Sequence, residues 1–205
     1  MGISKTRAIL VDVARQLFAK KGFEETTMND IAVASQKGRR TLYTYFKNKE
    51  EIYYAVIESE LALMSDKMHS VAKMDLEPEK KMIELIYTRL DTIKEIVHRN
   101  GNLRAEFFRD IWGVETARKD FDRDQIVIFR RILNEGKITG VFDVENADLI
   151  AHVIHYSLKG LEVPYVRGIV ARGFNSETSK PYVTNFVYKA LGKVINNNDN
   201  NQNFK

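Results

Sequence analysis

Apolar residues recur at every third or fourth position along most of the chain, and alternating strand patterns bounded by turns are scarce. An all-α protein of about nine helices follows. Lys5 to Lys21 carries Ile9/Leu10, Val13/Ala14 and Leu17/Phe18 on one face, and Gly22 stops it. Two short helices come next. The first covers about Thr27 to Ala34, with Thr27 and Asp30 as a short capping box and Ile31 and Ala34 facing inward. The second covers about Gly38 to Tyr45, with Leu42 and Phe46 as its inward side, and Ser35 to Gly38 form the turn between them. Asn48 and Glu51 cap a fourth helix that continues to about Ala72 through Ile52, Val56, Leu61, Met64 and Met68. A fifth starts at Glu77-Pro78-Glu79 and ends at His98-Arg-Asn-Gly101; a sixth covers Leu103 to Ile111, and a seventh Glu115 to Gly136. The eighth, Glu145 to Val166, is expected to kink or end at Pro164. The ninth covers Lys180 to Val194, and residues 196–205 read as a disordered polar tail.

Helices two and three have the pattern of a helix-turn-helix, whose second helix enters the DNA major groove. The outward residues of that recognition helix include Arg39, Arg40, Thr41, Tyr43 and Tyr45, with Lys37 just before it. These are types that reach phosphates and base edges. Two arginines in a first helical turn oppose the macrodipole at a cost of roughly 0.3–1 kcal/mol each, which a docked polyanion would offset. The bland alternative is a solvated basic turn.

Charge sharpens this picture. Residues 1–49 hold ten Lys/Arg against four Asp/Glu, a net of +6, whereas the remainder holds 22 against 24. The overall excess of +4 therefore lies in the first quarter of the chain, as expected of a nucleic-acid-binding end joined to a body with another task. At 205 residues the chain can bury a core without staples, and with no cysteine it has neither disulfides nor thiolate metal sites. No signal-peptide pattern and no apolar run of ~18 residues occurs, so a cytoplasmic protein without membrane contact is expected.

The amino-terminal segment resembles the DNA-binding domain of TetR-family (TetR/AcrR-like) transcriptional regulators. The residues carrying the resemblance are Ala14-x-x-Leu17-Phe18-x-x-x-Gly22-Phe23, Thr26-Thr27-x-x-x-Ile31-Ala32 and Thr41-Leu42-Tyr43-x-Tyr45-Phe46-x-x-Lys49-Glu50-x-Ile52. The resemblance covers roughly residues 5 to 57. The resemblance implies that Thr27 and Met28 touch the phosphate backbone, that Arg39, Arg40, Thr41 and Tyr45 face bases or phosphates, and that Tyr43 and Lys49 hold phosphates. Leu42 and Phe46 are packing positions. The family commonly has a glycine and a small apolar residue in the turn and a serine at the recognition-helix cap; here those places hold Gln36, Lys37 and Gly38. Arg40 stands where a glycine is frequent.

The implied organisation is a DNA-binding domain over 1–49, a helical ligand-binding and dimerisation domain over 50–195, and the tail. Helices eight and nine carry more apolar surface than one partner covers, and the expected dimer interface is Leu149, Val153, Leu158, Gly160, Leu161, Val183, Val187 and Leu191. Two-fold symmetry would set two recognition helices ~34–36 Å apart on a palindromic operator of double-stranded DNA. Met64, Met68, Tyr87, Phe107, Phe108, Trp112, Phe121 and Phe129 suit an inducer pocket for a small apolar or aromatic effector, and equally suit a plain core. His152 and His155 lie three apart but lack further metal ligands nearby, and read as a buried or interfacial pair with no metal. No cofactor is expected. The leading expectation is a homodimeric regulator, a repressor released by an effector. The alternative is an architectural or cell-division DNA-binding protein that acts through a protein partner. No phosphate loop, nucleophile motif or ligand set points to an enzyme.

Overall fold

The computed structural model describes residues 5–101, 112–170 and 176–192, with side chains left aside at 112–117 and 176. Among the described residues there are eight helices and no strand: α1 Lys5–Lys21, α2 Met28–Ala34, α3 Arg39–Tyr45, α4 Lys49–Ala72, α5 Pro78–Arg99, α6 Trp112–Ile138, α7 Ala147–Val166 and α8 Ser176–Ala190. The helix expected over 103–111, with Phe107 and Phe108, and the polar tail lie outside the described residues. The chain divides into two compact units, one of residues 1–63 with 95–121, the other of 64–94 with 122–205.

The first unit is built on the apolar face read for α1. Leu10, Ala14 and Phe18 are buried, and Ile31, Leu42, Phe46, Ile52 and Val56 close the same core from α2, α3 and α4. Each of the larger of these side chains contributes about 1.5–3 kcal/mol by leaving water. Phe18, Phe23 and Tyr53 form an aromatic cluster with centroid separations of 5.5, 6.2 and 5.0 Å. Gly22, at φ +91°, lets the chain turn directly after α1.

The second unit buries Met68, Met82, Ile86, Leu90, Phe129, Ile132 and Leu133, with Leu158 and Leu191 completing the core. Two helices, α6 and α8, end elsewhere than the sequence expectation. α6 runs past Gly136 to Ile138, because Gly136 is not a stop but a contact: a Cβ there would overlap the Phe142 ring, and its carbonyl accepts the amides of Val141 and Phe142 at 2.8 and 3.0 Å. α7 ends at Val166 as expected, with Pro164 inside it rather than ending it. α8 begins at Ser176, so Pro181 is inside it, and it ends at Ala190 because Gly192, at φ +71°, turns the chain against Asp143.

Candidate nucleic-acid interface

The helix-turn-helix is fixed at its start by reciprocal hydrogen bonds. The Asp30 amide donates to Thr27 Oγ1 at 3.1 Å, and the Thr27 amide donates to Asp30 Oδ2 at 3.0 Å. The backbone bond, with the Thr27 hydroxyl and Lys21 assisting, holds the Asp30 carboxyl below its ordinary value. The buried Thr26 hydroxyl donates to the Gly22 carbonyl at 2.7 Å, fastening the preceding loop.

The turn is made by Gln36 at φ +54°, the left-handed region that glycine favours. Lys37 N–H donates to Ala32 O and Gln36 N–H to Val33 O, both at 3.1 Å. This is a Schellman closure of α2 with glutamine in the glycine position. Gly38 caps α3 in an extended conformation, without a side-chain hydrogen bond.

α3 buries Leu42 inward and leaves Arg39, Arg40, Tyr43 and Thr44 outward. The Thr44 hydroxyl is used internally, donating to Arg40 O at 2.9 Å. Of the other expected DNA contacts, Thr27 is exposed, while Met28, Lys37, Thr41 and Tyr45 are half-buried. Lys49 has a role the sequence did not reveal. Its ammonium donates to the carbonyls of Phe23 and Glu24 at 2.7 and 3.1 Å and lies 4.4 Å from the Phe23 ring centroid. It fastens the start of α4 to the loop after α1, leaving one of three N–H donors for a phosphate. Arg7 was also missed; its guanidinium lies 5.2 Å from the Phe46 ring centroid.

Met64, Met68 and Tyr87 are buried in the second unit and Phe121 in the first; Trp112 is described by its backbone alone. A cavity of about 560 Å³ does occur in the second unit, lined by α5, α7 and α8 and by Val170 between the last two. Among the described residues of the expected effector set, Tyr87 alone reaches it, and its hydroxyl lies 3.0 Å from Ser179 Oγ. Burial pushes the Tyr87 phenol up, against the opposing effects of Ser179 and Lys180.

The cavity mouth coincides with much of the expected dimer face. Leu149, Val153 and Leu161 are exposed at 58%, 51% and 38%, and Gly160 has open space where a Cβ would stand. Val183 and Val187 are half-buried. Leu158 and Leu191 are instead buried within their own subunit, so this structure offers neither as an exposed contact. Tyr156, Tyr182 and Phe186, absent from the expected set, are exposed at 57%, 68% and 73%.

His152 and His155 diverge. His152 Nδ1 lies 2.8 Å from Asp148 O. His155 is fully buried, with Nδ1 3.1 Å from Arg89 Nη1 and Nε2 3.3 Å from Asp122 Oδ1. A guanidinium only donates, so His155 Nδ1 accepts and its proton sits on Nε2 toward Asp122. Arg89 also donates to Glu162 at 2.8 Å. No group of three potential metal ligands occurs among the described residues.

Residues 10–56 match the family model for bacterial regulatory proteins of the tetR family. Over 159 residues the chain is 25% identical to an uncharacterized HTH-type transcriptional regulator, YhgD, of Bacillus subtilis, covering 75% of this chain and 80% of that protein. The fatty acid degradation regulator FadR of Bacillus halodurans has a similar structure, with a TM-score of 0.71 at 18% identity over 95% of this chain and 100% of that one. FadR of Bacillus subtilis, solved in complex with stearoyl-CoA, has a TM-score of 0.64 at 17% identity over 90% and 96%. At these identities the two solved structures share the fold with this chain.

Proposed function

The chain belongs to the TetR family of DNA-binding transcriptional regulators, and on that premise we propose that it is a homodimeric repressor that reads a palindromic operator and is released by a small-molecule effector. Residues 1–49 form the DNA-binding domain in this reading, and 50–195 the ligand-binding and dimerisation domain. The exposed apolar face of α7 and α8 carries the proposal. Leu149, Val153, Tyr156 and Leu161 stand along α7, and Tyr182 and Phe186 along α8, in the open. A contiguous apolar patch of more than a few hundred Å² marks an interaction surface. A second copy of the same two helices is self-complementary to it, as a two-fold interface requires. Such a dimer gives two recognition helices, and repression follows from occupying the operator.

Arg39 and Arg40 would meet base edges or phosphates, with Thr27, Met28, Lys37, Thr41, Tyr43, Tyr45 and Lys49 holding backbone. The effector is proposed to be a small apolar or aromatic molecule, because the cavity that Tyr87 reaches is lined mostly by apolar and aromatic side chains and because the related fold of Bacillus subtilis FadR holds stearoyl-CoA. To act, it must bind the DNA-free form better, and a coupling of ~1–3 kcal/mol makes a useful switch.

Sedimentation equilibrium of the wild-type chain and of Phe186→Asp tests the dimer. The wild type is expected to be dimeric at micromolar concentration, and the variant to be a folded monomer because its altered side chain is already exposed. A monomeric wild type at tens of micromolar, or an unaffected dimer in the variant, would contradict the proposed interface.

A further inference from the structure

Glu60 is a carboxylate on α4 with only 2% of its surface exposed. It lies between two guanidinium groups from different helices. Arg99, on the last turn of α5, donates to one oxygen, and Arg15 Nε, on α1, stands 3.9 Å from the other. Arg15 is itself aimed by Asp12, at 2.9 Å. All of these residues lie in the first unit. The residues after Arg99 bring α5 and α1 together a second time. Asn100 is fully buried and donates to Ile96 O at 2.7 Å. Gly101 follows at φ +46°, and a Cβ there would lie 2.7 Å from the Ala19 carbonyl oxygen. The end of α5 is thus held to α1 by a charge bridge at one point and by a backbone approach too close for a side chain at another.

We propose that Glu60 is a positioning residue for DNA reading, setting α1 against α4 and the end of α5 and thereby setting the α2–α3 pair that packs on α1. Glu60 and Arg99 lie outside the set of expected DNA contacts, so the inference goes beyond the function proposed above while resting on its DNA-binding part. Glu60 is buried while the Arg99 side chain is 39% exposed, so the bridge contributes little net stability, because desolvation of the carboxylate offsets the attraction, but a buried carboxylate held from two sides admits few geometries. Geometry matters differently for the two ways of binding DNA. Base readout requires side chains placed within about 0.5 Å. Sequence-independent attraction to phosphates tolerates looser placement, since it comes from counterion release. Loosening the bridge should therefore weaken specific binding and leave non-specific binding nearly intact.

The experiment uses a duplex that the wild-type chain selects from a random library, together with a random-sequence duplex. Arg99→Gln is expected to bind the selected duplex on the order of tenfold more weakly and the random duplex within about twofold of wild type. Arg99→Lys, which keeps the charge, is expected to recover most of the loss. Glu60→Gln, compared at a temperature where circular dichroism shows it folded, should lose specific affinity in the same direction. The proposal is overturned if Arg99→Gln binds both duplexes as wild type does, if it loses both equally, or if only its melting temperature falls. Failure of the wild type to select any duplex would instead overturn DNA reading itself, and the role of the bridge with it.

Discussion

Gln36 shows how a single residue can depart from the fold's preference and remain. Among the described residues it is the one non-glycine at positive φ, and it closes α2 where glycine would be free of strain. A left-handed residue costs about 1–2 kcal/mol, partly offset by the smaller unfolded-state entropy of a non-glycine. Gln36→Gly is therefore expected to raise stability by about 0.5–1 kcal/mol, read as a higher urea midpoint at unchanged slope. The departure was visible in the sequence, since the related family commonly has glycine there, but the positive φ appears only in the structure. Lys49 was less legible. A lysine after a recognition helix reads as a phosphate contact, and nothing in the linear sequence indicates that carbonyls from residues 23 and 24 reach its ammonium. Lys49→Ala is accordingly expected to lower stability by about 1–2 kcal/mol and to weaken binding to all DNA sequences alike. Arg40→Ala, on an exposed side chain of α3, is expected to lose ~1–3 kcal/mol at one operator position together with discrimination there. A sequence preference altered by Lys49→Ala and untouched by Arg40→Ala would reverse the two roles.

At the scale of the element, the glycines separate by what surrounds them. Gly136 and Gly160 both lie within helices, and helix propensity alone favours alanine by about 1 kcal/mol at each. Gly136 is covered by the Phe142 ring, so Gly136→Ala is expected to destabilise by about 1–3 kcal/mol through overpacking. Gly160 faces open space within its own chain, so Gly160→Ala is expected to stabilise the subunit in denaturant while weakening dimerisation if another backbone approaches there. The apolar periodicity located every described helix, but not the ends set by tertiary contacts: the Phe142 packing at Gly136 and the Asp143 approach at Gly192 involve residues distant in the pattern or carried by loops. The Asp122–His155–Lys159 cluster links α6 to α7. Burial works to raise the Asp122 carboxyl, but hydrogen bonds from His155 and Lys159 and the charge of Lys159 prevail and pull it from 3.8 to about 2. Its folded value lies below its unfolded one, so the stability it contributes is present above pH 3.8 and lost as pH falls through about 2. Asp122→Asn is expected to flatten that part of a urea-midpoint profile; an unchanged profile would remove Asp122 from the acid response.

For the whole molecule, the sequence stated two properties in plain form. One was all-helical construction, readable because a 3.6-residue period persists through nearly every segment. The other was the uneven charge, +6 over residues 1–49 against a slightly acidic remainder. What it could not separate was core from surface on α7 and α8. Leu158 and Leu191 share helical stripes with Leu161 and Val187, and only the packed chain shows that Leu158 and Leu191 are used internally while Tyr182 and Phe186 stand out in the open. The effector residues were blurred for the same reason, since Met and aromatic side chains fill cores as readily as they line pockets. The central claim, a symmetric sequence-specific DNA reader, is tested most directly by titrating the protein against a duplex from upstream of its own coding sequence and against a scrambled duplex, at 50 and 200 mM salt. The expected result is two chains per upstream duplex, an affinity at least ~10³ above the scrambled duplex, and a steep loss with salt on both. Equal affinity for the two duplexes, or one chain per bound site, would contradict it.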